Sequence, residues 1–254
     1  MDHQRLIKLA TLAGQIILES GGEIYRVEDT ITMILRSYHV KEAESFVTPT
    51  GIMVSLTDAG GHVISLIRRV QKSNIDLEKV SLVNALSRQL MAEPLPLDEL
   101  EEALMEISNK APYSIPFQLL MAAMCGFSFT FLFGGSNTDA VIALVIGIFV
   151  RLLQLGTREI KLNGIFINIM GGALVAFLTT FFTHWIPLET NFDIIMVASI
   201  MLLVPGIAFT NALRDILMGD YLSGVSKGME AFLIAVSIAI GAGTVLAMMG
   251  GVVA

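Results

Sequence analysis

The sequence predicts an α-helical membrane protein in which five transmembrane helices follow a small cytoplasmic α+β domain. Three observations carry that expectation. Of the 254 residues, 54% are apolar and 15% charged, and the mean hydropathy is +0.71, far from the average soluble composition. Charge is also unevenly placed: residues 1–112 hold eleven basic and sixteen acidic side chains, whereas the 142 residues after Pro112 hold five and seven. Finally, the five basic residues of the second part all flank the same ends of its apolar runs. A cytoplasmic domain over 1–112 and a membrane domain over 113–254 follow.

Within the first domain, MDHQRLIKLATLAGQIILESGG has the early basic residues of a signal peptide but not its pattern. Arg5, Lys8, Gln15 and Glu19 fall on one side of a helical projection and Leu6, Leu9, Ala13, Ile16 and Ile17 on the other, which predicts an amphipathic helix stopped by Gly21-Gly22. Glu23 to Tyr38 repeats the period with the stripe Ile24, Val27, Ile31 and Ile34. Glu44 to Thr57 and HVISLIRRV, joined by DAGG, are rich in β-branched and aromatic residues and predict strands, with Pro49-Thr50-Gly51 making a bend or an edge. Asp76 to Met91 and Leu97 to Ile107 predict two more helices.

No charged residue occurs between Ala111 and Thr138, and Ile115 to Gly134 supplies the roughly 20 residues that a first span requires. Four more spans are expected, at about 139–155, 162–185, 193–213 and 231–253. Arg151 lies near the end of the second, where it can snorkel. The loops GGSNTD and THWIPLET lack Lys and Arg, whereas Arg151, Arg158, Lys161, Arg214 and Lys227 flank the opposite ends. By the positive-inside rule the chain is a multi-pass protein of the cell inner membrane with a cytoplasmic N-terminus and an outer C-terminus. Five spans with no internal repeat form half of an inverted-repeat transporter. Small residues on the third span (Gly171, Gly172, Ala173, Ala176) and the fifth (Gly241, Gly243, Ala247) suit close helix approach.

The most informative stretch is Asn191 to Tyr221. Val204-Pro205-Gly206 interrupts its apolar run, and proline removes a backbone donor, so the helix kinks or stops there. Asn211, Arg214 and Asp215 then fall at i, i+3 and i+4, on one face. That face is the first candidate for a solute site, because broken helices with polar residues recur at transporter binding sites. The bland alternative is that Arg214 and Asp215 only mark where the helix leaves the bilayer.

Several of these motifs, taken together and in order, resemble the threonine/serine exporter (ThrE) family. They are Ser20-Gly-Gly-Glu-Ile-Tyr-Arg-Val-Glu-Asp-Thr30, Phe46-Val-Thr-Pro-Thr-Gly51, Leu132-Phe-Gly-Gly-Ser136 with Asp139, and Val204-Pro-Gly followed by Asn211, Asp215 and Gly219-Asp220. The length is similar to the larger subunit (YjjP type) of the split two-component form. The resemblance implies secondary, proton-coupled export of small carboxylate metabolites, threonine and serine in the fused form and a succinate-type dicarboxylate in the split form. It also implies a small all-membrane partner (YjjB type) in a hetero-oligomer, or else a homo-oligomer. In such a site the helix start after Pro205-Gly206 offers unpaired N–H groups to a carboxylate. Arg214 adds a charge-assisted pair and Asn211 a hydrogen bond. Asp215 or Asp220 takes up a proton, with Glu230 a further candidate. In the cytoplasmic domain, Glu19, Arg26, Glu28, Asp29 and Thr30 read on their own as a solvated helical face. The resemblance raises Arg26 and Glu28, and brings Pro49 and Thr50 with them.

Other classes are weaker. The net charge of −7 leaves no basic footprint for nucleic acid. One cysteine, Cys125, and four unclustered histidines predict neither disulfide, metal site nor other cofactor. A membrane-anchored hydrolase would pair Glu19 and Glu28 with Thr30 or Thr50, but no nucleophile-elbow motif accompanies them and no catalytic residue is expected. A non-transporting scaffold that recruits a partner through the cytoplasmic domain is the remaining alternative.

Overall fold

The computed structural model describes residues 2–58, 60–71, 74–159, 162–185 and 189–253. Two compact units emerge: Met1–Ala111 with Ile207–Met229, and Pro112–Gly206 with Glu230–Ala254.

The first unit opens with α1 (His3–Glu19) and α2 (Ile24–Ser37). The Asp2 carboxylate caps α1 by accepting from the Arg5 N–H at 3.0 Å. The helix ends where Gly21 adopts a φ of 80° and the Gly22 N–H reaches the Ile17 carbonyl at 2.9 Å. Only glycine takes that left-handed turn without cost. All four residues of the expected α2 stripe are 0% exposed. A three-stranded antiparallel sheet follows, in the order β1 (Ala43–Thr48), β2 (Gly51–Thr57), β3 (Val63–Arg69). Thr48 pairs with Gly51, so Pro49 and Thr50 form the two-residue turn of a hairpin. The inner residues Val47, Ile52, Val54 and Leu56 join one core with α1, α2, α3 (Leu77–Ala92) and α4 (Leu97–Asn109). Asp76 caps α3 through the Lys79 N–H.

The second unit contains α5 (Ile115–Leu132), α6 (Asn137–Glu159), α7 (Gly164–Trp185) and α8 (Phe192–Ile200). After the break come α9 (Gly206–Leu217) and α10 (Tyr221–Val253), which continues from the first unit into the second. Among the described residues four helices are long and apolar enough to cross a membrane: Ile115–Leu132, Asn137–Thr157, Gly164–Trp185 and Tyr221–Met249. The expected fourth span, Asp193 to Leu213, is not a single helix. Pro205 has no N–H for the Met201 carbonyl, so α8 closes after nine residues and a new helix starts at Gly206. Of the residues used for orientation, Lys161, residues 186–188 and the side chain of Arg158 lie outside the described residues.

Glycines set the packing distances in this unit. A Cβ on Gly126 would press on the Ala143 carbonyl, and one on Gly147 on the Ala122 carbonyl, so α5 and α6 touch through reciprocal notches. Gly172 against Ile238 and Gly241 against Ile169 do the same for α7 and α10. Of the small residues expected to permit close approach on the third and fifth spans, Gly172 and Gly241 do so, whereas Gly171 faces the Leu203 side chain and Gly243 has nothing within 4 Å. At the opposite end, the buried Asp139 accepts from the N–H groups of Asn191 at 2.8 Å and Ser136 at 2.9 Å.

Candidate functional site

The polar residues of α9 lie in the first unit, against the turn between α1 and α2. Glycines at 21 and 22 leave that turn's carbonyls uncovered, and Glu23 sits at the N-cap of α2. The Asn211 amide donates to the Gly21 carbonyl at 2.8 Å, and the Lys227 ammonium donates to the Gly22 carbonyl at 3.4 Å. Arg214 pairs with the Glu23 carboxylate, which also receives Arg26 at 2.7 Å. Asp215 is 0% exposed. Its carboxylate accepts from the Lys227 ammonium at 2.9 Å and from the Ile24 N–H at 3.3 Å. Asp215 thereby caps α2 from a position 191 residues away.

Electrostatics explain why the cluster holds. A buried carboxylate is costly unless paired and hydrogen-bonded. Asp215 has both kinds of partner, and a helix N-terminus additionally favours its negative charge. For Glu23, burial works to raise the carboxyl, but the hydrogen bonds from Arg26, its own backbone and Arg214 outweigh it and hold the group at about 2. Burial pushes Asp220 up, and Asp215 adds to that while Lys227 opposes it. Burial also raises Glu28, against the Val47 N–H that donates to it at 2.9 Å, with Asp220 and Asp29 adding to the rise. One cluster thus holds two carboxylate–cation pairs, Glu23 with Arg26 and Arg214 and Asp215 with Lys227, beside two carboxyls biased toward protonation.

The structure brings Arg26, Asn211, Arg214 and Asp215 together and sets Glu28 and Asp220 within electrostatic reach of each other. It does not bring in the others. Glu19 accepts from Gln15 at 2.7 Å, Thr30 is buried in α2, and Pro49 and Thr50 form the hairpin turn. Pro205 and Gly206 make the helix break, and Glu230 is exposed on α10. Two residues of the cluster escaped the sequence reading. Glu23 stood inside the quoted motif as an acidic N-cap after two glycines, a signal present but unused. Lys227 lies twelve residues beyond Asp215, and Gly219, with a φ of 95°, folds α10 back so that the two meet.

The model of the ThrE family, described as "Putative threonine/serine exporter", matches residues 8–249, nearly the whole chain. The chain belongs to the ThrE family. That match spans both compact units, so the cluster at the α1–α2 turn and the broken α8–α9 segment lie inside the family's own region. The family is one of exporters, and the four apolar helices accord with a multi-pass membrane protein. Searches of curated proteins and of solved structures return no match.

Proposed function

We propose that this chain exports small carboxylate-bearing metabolites, threonine and serine first among them, out of the cytoplasm. The observation that carries the reading is the exporter-family match over residues 8–249. In this reading α8 and the turn after it make a broken fifth crossing. Basic residues mark the cytoplasmic ends, the N-terminal domain is cytoplasmic, and α10 leaves the C-terminus outside.

The charged cluster then serves as a latch rather than as the solute site. Asn211, Arg214 and Asp215 are already engaged by the α1–α2 turn and Lys227. Export requires them to release and re-form these contacts. Protons enter through the carboxyls biased toward protonation, Glu28 and Asp220; Glu28 bears on Asp220, and Asp220 on Asp215 and Lys227. The membrane unit works with a second membrane half, supplied by a small all-membrane subunit or by another copy of the chain.

The test is efflux of preloaded labelled threonine, serine and succinate from cells expressing this chain alone and then with the small membrane subunit. Efflux that needs both proteins supports the split exporter, and the compound that leaves names the substrate. Failure to export any of the three, with both proteins in the membrane, removes the reading.

A further inference from the structure

The second unit contains a groove of about 470 Å³ that the charged cluster does not explain. Its walls are one face of α5, carrying Gln118 and Cys125, the late turns of α6, carrying Arg151 and Gln154, and Met201 and Leu202 at the end of α8. Arg151 is not a terminal residue free to reach the interface, because α6 continues past it to Glu159. Its guanidinium is fixed instead, donating to the Gln118 amide oxygen at 2.6 Å and to the Gln154 amide oxygen at 2.8 Å. An arginine within a membrane helix is expensive, and such residues face protein or a water-filled cavity on a solute path.

The third wall supplies the complementary chemistry. Pro205 removes the N–H that would have bonded the Met201 carbonyl, and α8 has risen only about 14 Å by that point, roughly half of a hydrocarbon core. A backbone break at such depth is tolerated where it lines a cavity. The groove therefore joins a guanidinium oriented by two amides to backbone at which a helix gives up a hydrogen bond. A carboxylate fits the first, and an ammonium or hydroxyl donor fits the second.

Resting on the exporter reading above, we infer that this groove is the solute site: Arg151 binds the carboxylate of an α-amino acid, and the ammonium end lies toward Met201 and Leu202. A second carboxylate at that end would meet the C-terminal, negative end of α8, so the site selects amino acids over dicarboxylates. Gln118 and Gln154 are positioning residues for the guanidinium.

Cys125, the chain's single cysteine, lines the groove and provides a native reporter. The experiment is the rate of Cys125 modification by a small water-soluble thiosulfonate in the purified full chain in vesicles, with and without threonine or succinate. Threonine is expected to slow labelling and succinate to leave it unchanged. Arg151→Gln should raise the half-protecting threonine concentration roughly tenfold or more, the loss expected for one charged hydrogen bond. Arg151→Lys should keep part of the protection, and the same ranking should appear in the half-saturation of efflux.

Absence of protection by threonine in a wild-type chain that exports threonine overturns the inference and leaves the exporter reading standing. So does an inert Cys125, since a groove closed to water admits no solute, and so does protection that tracks the anionic lipid content of the vesicle. A chain that exports none of the solutes even with the small membrane subunit beside it, while threonine still protects Cys125, contradicts the exporter reading and keeps the site.

Discussion

Asp215 is fully buried with Lys227 as its ion partner, and removing one member of such a pair leaves an uncompensated charge at a cost of about 3–5 kcal/mol. Asp215→Asn retains an acceptor for the Ile24 N–H but strands the ammonium, so the unfolding midpoint in detergent should fall markedly. Asp215→Asn combined with Lys227→Met should recover much of the loss, and a double-mutant cycle that adds without interaction would refute the pair. The carboxyls divide by sign. Glu23 is held at about 2 against an ordinary 4.5, so its contribution is complete above about 4.5 and disappears as pH falls from there toward 2. Glu28 and Asp220 are raised, so their folded-state contribution is present below their ordinary values and is lost as pH rises through the raised ones. Mild acidification from neutrality should therefore stabilise the protein before stronger acid releases Glu23. Glu28→Gln should flatten the first limb, as followed by thermal unfolding across pH; an unchanged curve would contradict the assignment.

Elements show which parts of the structure local pattern reveals. Ile24, Val27, Ile31 and Ile34 are spaced for one helical face, and that spacing alone places all four in the core. Pro205 likewise announces the interruption of an apolar run. What the pattern does not contain is where the interrupted piece goes. The face of Asn211, Arg214 and Asp215 is legible as a face, but its partner is a glycine turn about 190 residues earlier, and no periodicity encodes that pairing. Lys227 escaped for the same reason, since its approach to Asp215 depends on the fold at Gly219. Two substitutions probe the elements. Pro205→Ala restores an N–H for the Met201 carbonyl and lets α8 run on, so efflux should fall while membrane insertion stays normal. Gly241→Val drives a side chain into the Ile169 carbonyl and should lower stability by about 1–3 kcal/mol in detergent unfolding, as overpacking does. An unaltered midpoint would mean that α7 and α10 do not meet there.

At the scale of the whole molecule, residues from the two ends of the sequence share one compact unit, because Ile207–Met229 packs with Met1–Ala111. The segment that follows the broken α8 is thereby tied to the N-terminal fold by charge. Motifs far apart in the chain become one device: Ser20 to Thr30 provides the turn and the helix start, and Asn211 to Asp220 provides the groups that grip it. In the proposed reading the first unit, which holds the segment after the break, acts as the latch of the export cycle. The most direct test of this account is threonine efflux from four strains carrying the wild-type chain, Glu23→Arg, Arg214→Glu and both changes together. Each single reversal sets like charges against each other and should abolish efflux, whereas the double variant restores an opposite pair and should regain a substantial part of it. A double variant no better than the worse single change, with all four proteins equally abundant in the membrane, would contradict the latch.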